Sequence, residues 1–167
     1  MIVVADTSVV LNLCFLRLAP ILPLLFGEVL TPPEVKWEFL HLTGTDSRFA
    51  GLEFPQFIVL EAPLTMEYDW AKSPLLHMGE VAALSLALEV KADLVLMDEA
   101  EGRAAASALA LKTMGLLGIL LRARELSLIH PLAPLLDRLD REARFWMGPS
   151  LRAAVLRAAG ESPEENS

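Results

Sequence analysis

The chain has 167 residues, a formal net charge of −8 and 54 % hydrophobic residues. Its length suits one compact domain and excludes a second domain of ordinary size. Its longest apolar stretch without proline, residues 114–121, falls far short of the ~20 residues that cross a bilayer, so no membrane span is predicted. A single cysteine excludes an internal disulfide, and the scattered histidines His41, His77 and His130 lack the spacing of a zinc site.

Strand and helix patterns alternate along the chain, which is typical of a doubly wound α/β sheet. Residues 2–5 (IVVA) are apolar on both faces, as in a strand inside a parallel sheet, and Thr7 or Ser8 can cap the next helix. Residues 79–97 predict a helix, a turn and a second fully apolar strand. In chain order, the predicted elements are a strand at 2–5, helices at 9–16 and 19–26, a strand in 28–33, a helix at 34–42, a strand at 57–62, a helix at 79–90, a strand at 94–97, a helix at 99–110, an edge strand at 112–114, and helices at 116–126, 132–145 and 149–159.

The chain shows no internal repeat and no long linker, so we predict one domain over residues 1–160 and a disordered acidic tail over residues 161–167. Residues 1–101 hold 15 acidic and 5 basic side chains, whereas residues 102–160 hold 4 acidic and 9 basic ones. This asymmetry fits either an acidic metal site beside a basic surface for a polyanion or ordinary solvated helix faces. The N-terminus lacks the basic start and uninterrupted apolar core of a signal peptide, which predicts a cytoplasmic protein.

Four carboxylates lie where the predicted topology brings separate parts of the chain together. Asp6 follows the first strand and Asp98 follows the strand at 94–97, and the carboxyl ends of parallel strands meet at the same edge of a sheet. Glu80 lies in the first turn of the helix before that second strand, and Glu38 lies about one and a half turns into an earlier helix. We therefore expect these four side chains to converge.

Such a cluster requires a counter-charge, because carboxylates a few ångströms apart in a buried site raise one another's pKa values. Oxygen ligands without thiolate or histidine favour Mg²⁺ or Mn²⁺, which bind phosphate oxygens readily. Ions of this kind orient and activate water for in-line attack on a phosphodiester. The pattern therefore predicts a metal-dependent nuclease whose catalytic and metal-binding residues are Asp6, Glu38, Glu80 and Asp98.

The same carboxylates also have simpler structural interpretations. Asp6 can cap the first helix, and Glu80 can complement a helix dipole. Glu34 lies one helical turn before Glu38 on the same face, but we prefer Glu38 because Glu34 falls in the exposed first turn. His77 is close to Glu80 in sequence and is expected to be an ordinary surface residue.

Five motifs occur in order along the chain. They are D-T-S at Asp6–Ser8, P-x-x-V-x-x-E-F at Pro32–Phe39, G-E-x-x-A at Gly79–Ala83, L-x-D-x-x-x-x-R at Leu96–Arg103 and G-x-L-G-I-L-L at Gly115–Leu121. This ordered set resembles the PIN-domain proteins, and more narrowly their VapC-like branch of toxin ribonucleases. The resemblance implies an α/β fold, a three-layer α/β/α sandwich around a central, mainly parallel sheet.

The resemblance also implies a function and partners. It implies Mg²⁺- or Mn²⁺-dependent cleavage of single-stranded RNA, with the four carboxylates as the family's acidic quartet, an antitoxin as protein partner and a homodimer. The apolar residues 16–26 exceed what one small face can bury, which also predicts a helical dimer surface. Thr7 and Ser8 are expected to form hydrogen bonds with the backbone or to orient Asp6. Glu99 is expected to be solvated or to support the ligands. Arg103 is expected to contact the RNA backbone, along with Arg122 and Arg124.

Two other functions remain open at this point. A relative without catalysis would bind RNA or a protein partner, and an inability to hold a divalent ion would favour it. A phosphatase that uses Asp6 as nucleophile fits less well, because Ser8 occupies the second acidic position of the D-x-D pattern of such enzymes.

Overall fold

A parallel sheet organises the first part of the chain, of which the computed structural model describes residues 1–162. The strands are β1 (Val3–Ala5), β2 (Val29–Thr31), β3 (Val59–Leu60), β4 (Leu94–Leu96) and β5 (Thr113–Met114). They form one five-stranded sheet in the order β3-β2-β1-β4-β5, and every neighbouring pair is parallel. The fold is α/β, as predicted, and the all-parallel sheet is consistent with the predicted three-layer sandwich.

Eight α-helices occur within residues 1–162. They are α1 (Thr7–Phe15), α2 (Ile21–Phe26), α3 (Pro33–Thr45), α4 (Met78–Glu89), α5 (Ala100–Ala108), α6 (Leu116–Glu125), α7 (Leu132–Arg141) and α8 (Pro149–Ala158). Pro33 suits the start of α3 because its fixed φ matches the first helical position. The side chains of α4 are buried around its whole circumference from residue 79 to residue 87, as expected of an apolar helix inside a core. No helix in the described part of the chain is long and apolar enough to cross a membrane.

The central strand β1 marks the point where the strand order reverses. β2 and β3 lie on one side of it and β4 and β5 on the other. In open parallel sheets, ligands usually bind beyond the carboxyl ends of the strands at such a point, here β1 and β4. Ala5 pairs with Leu96 in register, and the Asp6 N–H donates to the Leu96 carbonyl at 2.9 Å. The residues that follow these two strands, including Asp6 and Asp98, therefore leave the sheet at the same edge.

Two elements are each four residues shorter in the structure than predicted. The strand predicted over 57–62 pairs only at Val59 and Leu60, which are exposed residues of an edge strand. The helix predicted over 132–145 ends at Arg141, because the chain turns back through a left-handed residue, Arg144, with φ of 54°.

The described chain divides into two compact units, Met1–Leu116 and the residues from Leu117 onward. The first unit contains the whole sheet. In the second unit, Arg152 of α8 forms an ion pair with Asp137 of α7, with 2.8 Å between nitrogen and oxygen. The prediction of one domain over residues 1–160 stays a prediction.

The acidic tail predicted over residues 161–167 falls mostly outside the described residues. Its first residue, Glu161, accepts hydrogen bonds from the backbone N–H groups of Leu132 at 2.7 Å and Ala133 at 3.1 Å, at the start of α7. Residues 163–167 lie outside the described part, so disorder there stays a prediction.

Candidate metal centre

Asp6 is a buried carboxylate at the carboxyl end of β1. The residue is 3 % exposed, it holds the N-cap position of α1 without a capping hydrogen bond, and its Oδ1 has no hydrogen-bond partner among the described residues. The pKa of Asp6 is raised to about 8, mainly by burial, while the backbone N–H of Thr7 lowers it and the charges of Glu38, Glu80 and Glu99 raise it. Helix capping therefore does not account for this side chain.

The hydroxyl of Thr7 positions Glu38. Thr7 Oγ1 donates a hydrogen bond to Glu38 Oε2 at 2.6 Å, which joins the start of α1 to α3. The partner of Thr7 is thus Glu38 rather than the backbone or Asp6, and α1 begins at Thr7 without either predicted cap. The Ser8 hydroxyl is buried and has no hydrogen-bond partner within residues 1–162.

Gly79 allows the Glu38 carboxylate to pack against the first turn of α4. A Cβ atom at position 79 would collide with Glu38 Oε2 and would lie 3.3 Å from Thr7 Oγ1. A side chain at this position would require the Glu38 carboxylate to leave the space that it fills. The glycine therefore brings Glu38 beside the residue that precedes Glu80.

We expect Gly79→Ala to lower the free energy of unfolding by ~1–2 kcal/mol, because Glu38 must move and leave Thr7. Without this contact, alanine in a helix should stabilise the protein by up to ~1 kcal/mol relative to glycine. Gly44→Ala in α3 is the matched control, since a Cβ atom there would meet open space. Urea unfolding of both variants measures the difference, and equal stabilisation of the two would contradict the proposed packing.

Glu80 lies close to two further potential ligands, His77 and Glu99. One ligand atom from each of the three residues lies within 4.8 Å of the other two, so together they can hold a divalent cation. Glu80 is 3 % exposed and its Oε2 lacks a hydrogen-bond partner among the described residues, whereas His77 and Glu99 are exposed. Burial, the charge of Glu99 and the charge of Glu38 raise the pKa of Glu80, while interactions with His77 lower it.

Asp98 leaves the sheet at the same edge, but its carboxylate is held by the segment after β5. Oδ1 accepts a hydrogen bond from the Leu116 N–H at 2.9 Å, and Oδ2 is buried with no partner in the described chain. Gly115 makes this approach possible, since a Cβ atom there would lie 2.6 Å from Asp98 Oδ1. Burial raises the pKa of Asp98, the Leu116 N–H and the charge of Arg103 lower it, and the charge of Glu99 raises it.

Glu99 is the neighbour that Asp6, Glu80 and Asp98 share. Its charge raises the pKa values of Asp6, Glu80 and Asp98. It sits at the N-cap of α5, where its side chain makes no capping hydrogen bond. The sequence predicts a solvated or supporting role for Glu99, and the residue is exposed. It nevertheless lies beside the other carboxylates, and we call the whole group, Asp6, Glu38, Glu80, Asp98 and Glu99, the acidic centre.

The structure brings Asp6, Glu38 and Glu80 together, since each of these carboxylates interacts electrostatically with the other two. Asp98 borders this group through Glu99. The assignment of all four as catalytic metal ligands stays a prediction.

Two residues near this centre differ from what their sequence positions suggested. His77 was expected to be an ordinary surface residue, and it is exposed, yet it lies within reach of Glu80. The signal was their spacing, because an N-cap residue and the third helical residue are neighbours. Glu34 was expected in an exposed first turn, but it is only partly exposed and its Oε2 is buried without a partner in the described residues.

The donor set fits a divalent cation. Buried carboxylate oxygens without hydrogen-bond partners occur on Asp6, Glu80 and Asp98, and an unpaired buried charge is unfavourable unless a cation neutralises it. Oxygen ligands in this number suit hard divalent ions. The residues present are therefore suited to hold such an ion.

Comparison with known proteins gives one match. A family model described as a PIN domain matches residues 2–161, a range that contains every residue of the acidic centre. The searches of the curated proteins and of the solved structures found no significant match.

Proposed function

Because the chain belongs to the PIN-domain family, we propose that it is a divalent-metal-dependent endoribonuclease that cleaves single-stranded RNA. PIN domains are generally metal-dependent nucleases, and one group at the acidic centre, His77, Glu80 and Glu99, could hold a divalent cation. The observation that carries the proposal is the pair of buried, unpartnered carboxylate oxygens on Asp6 and Glu80, beside the carboxyl edge of the sheet.

We assign the cation to the four carboxylates of the sequence prediction, with Thr7 and Leu116 as positioning residues. Thr7 holds one oxygen of Glu38 and leaves the other available. In the same way, the Leu116 N–H holds Oδ1 of Asp98 and leaves the buried Oδ2 for a ligand. Bound Mg²⁺ or Mn²⁺ supplies a polarised water for attack on the phosphodiester and charge compensation for the leaving oxygen.

The substrate backbone is proposed to pass Asp98 along an open groove. The groove has a volume of about 470 Å³ and is lined by Asp98, Arg103, Ser107 and Thr113, among others. Arg103 is exposed and close enough to Asp98 to lower its pKa, so its guanidinium is available to a phosphate beside the acidic centre. Phosphate contacts of this kind position the strand without selecting a sequence.

Arg122 and Arg124 of α6 remain proposed RNA contacts. Arg122 is exposed and forms an ion pair with Glu125 at 3.4 Å, an interaction of a kind that contributes little to stability at a surface. A phosphate can therefore replace Glu125 as the partner of Arg122 with little loss of free energy.

A role as the toxin of a toxin–antitoxin pair is a proposal that rests on the motifs of the sequence, and a cytoplasmic location stays a prediction. A homodimer is proposed through the apolar residues 16–26. Leu24 in this span is 67 % exposed, whereas Leu16 and Ile21 are buried in the protein's own core. Light scattering is the measurement, and a monomer at working concentrations would contradict the dimer.

The alternative function is a PIN-like module that binds RNA or a protein partner without cleaving RNA. What favours it is the hydrogen bond from Leu116 to Asp98, which engages one oxygen of a predicted ligand. Such a module would bind labelled RNA and leave it intact in the presence of metal.

The test is cleavage of a labelled single-stranded RNA by the full chain with Mg²⁺, with Mn²⁺ or with a chelator. Single-stranded DNA and double-stranded RNA of the same sequence serve as controls for the substrate class. We expect internal cleavage of single-stranded RNA that requires the metal. Intact RNA in both metals, with the metal shown to bind, would overturn the nuclease proposal and favour the binding module.

A further inference from the structure

One imidazole lies beside two carboxylates at the mouth of the acidic centre. We infer that His77 and Glu99 add a nitrogen and an oxygen ligand to the proposed cation on the side of Glu80, so that the centre prefers transition ions such as Mn²⁺ and Co²⁺ to Mg²⁺. The inference rests on the proposed function only in requiring that a divalent ion occupy this centre.

The ends of separate elements bring the three side chains together. His77 is the N-cap of α4, in an extended conformation with ψ of 159°, and Glu80 follows in the first turn. Glu99 comes from the start of α5, after β4. Their ligand atoms lie within 4.8 Å of one another, so small side-chain movements would bring all three onto one ion.

The burial of Glu80 is the second observation that points to a ligand. An exposed cluster of charged groups needs no ion, but Glu80 is 3 % exposed and its Oε2 has no hydrogen-bond partner within the described residues. A buried carboxylate oxygen without a partner is unfavourable because it has lost its water and gained no donor in exchange. A cation shared with His77 and Glu99 would supply the missing interaction.

The chemistry of the donors determines which ions benefit. Carboxylates bind Mg²⁺, Ca²⁺ and Mn²⁺, whereas imidazole is a borderline ligand that binds first-row transition ions better than it binds Mg²⁺. Mg²⁺ also retains water and gains little from a neutral nitrogen. His77 should therefore increase the affinity for Mn²⁺ and Co²⁺ and leave the affinity for Mg²⁺ almost unchanged.

Pulsed electron paramagnetic resonance of bound Mn²⁺ tests this directly, because a coordinated imidazole gives a nitrogen hyperfine coupling. The full chain is compared with His77→Ala and with His41→Ala, which removes an exposed histidine of α3. We expect the coupling in the parent and in His41→Ala and its loss in His77→Ala. We also expect His77→Ala to weaken Mn²⁺ binding by ~10-fold or more and Mg²⁺ binding by less than ~2-fold.

Bound Mn²⁺ without a nitrogen coupling in the parent would overturn the inference, as would a coupling that survives in His77→Ala. Failure of the proposed function would give a different combination of results in the two experiments. Nitrogen coupling without RNA cleavage would support the His77 ligand and contradict the nuclease, whereas metal-dependent cleavage without the coupling would do the reverse.

Discussion

An Asp6→Asn variant is expected to lose at least ~10²-fold in the rate of metal-dependent RNA cleavage. Asparagine preserves the size of the side chain, but it removes the charge that a cation at the carboxyl end of β1 requires. The loss should be large because Asp6 is buried and its Oδ1 has no other partner in the described chain, so no nearby interaction replaces it. Single-turnover cleavage of labelled RNA, with Mn²⁺ in excess, measures the effect on the chemical step.

Asp140→Asn is the control for Asp6→Asn. Asp140 is an exposed residue of α7, so the same chemical change there should leave the rate within ~2-fold of the parent. Equal cleavage rates for the parent and Asp6→Asn would contradict a catalytic role for Asp6. Unfolding curves of the variants exclude loss of the fold as the cause.

The stability of the metal-free protein is expected to fall as the pH rises, and Asp6→Asn should reduce this fall. The pKa of Asp6 is raised to about 8 in the folded protein, whereas an aspartate in an unfolded chain has a pKa of ~3.9. Between these values the folded protein keeps a proton that the unfolded chain has released, so the free energy of unfolding decreases with pH. The contribution of Asp6 is complete below the unfolded pKa and is lost once the pH exceeds the folded one.

Urea unfolding with a chelator at about pH 5 and about pH 8 should show a loss at least ~2 kcal/mol larger for the parent than for Asp6→Asn. Some fall should persist in the variant, because the pKa values of Glu80 and Asp98 are raised as well. Added Mn²⁺ should stabilise the parent more at the higher pH, since metal ions bind the deprotonated carboxylates. Parallel pH profiles for the parent and Asp6→Asn would contradict the burial of an ionisable Asp6.

The position of Asp6 could be predicted from the residues around it. Four apolar residues before a single carboxylate indicate a buried strand that ends at that carboxylate, and parallel pairing places such ends at one edge. Local pattern suffices here because a strand's direction in a parallel sheet determines where its last residue lies. Asp98 also follows an apolar strand, and the pairing of β1 with β4 confirms that it leaves the sheet at this edge.

The interactions of each side chain at that edge could not be predicted in the same way. Asp98 bonds to Leu116, which is 18 positions further along the chain, and Thr7 bonds to Glu38, 31 positions away. These partners depend on how close two helices approach, and that distance depends on glycines such as Gly79. The spacing of hydrophobic residues along the chain predicts helices and strands but does not predict these distances between them.

Periodicity and strand-end carboxylates were thus enough to establish the α/β class, the parallel sheet and the edge at which the acids collect, because these follow from local burial and chain direction. Packing alone decided that Glu99 lies beside Asp6 and beside the pair of His77 and Glu80. The reason is physical: a strand or helix is specified by its own residues, whereas ångström distances between side chains are specified by every element that packs around them.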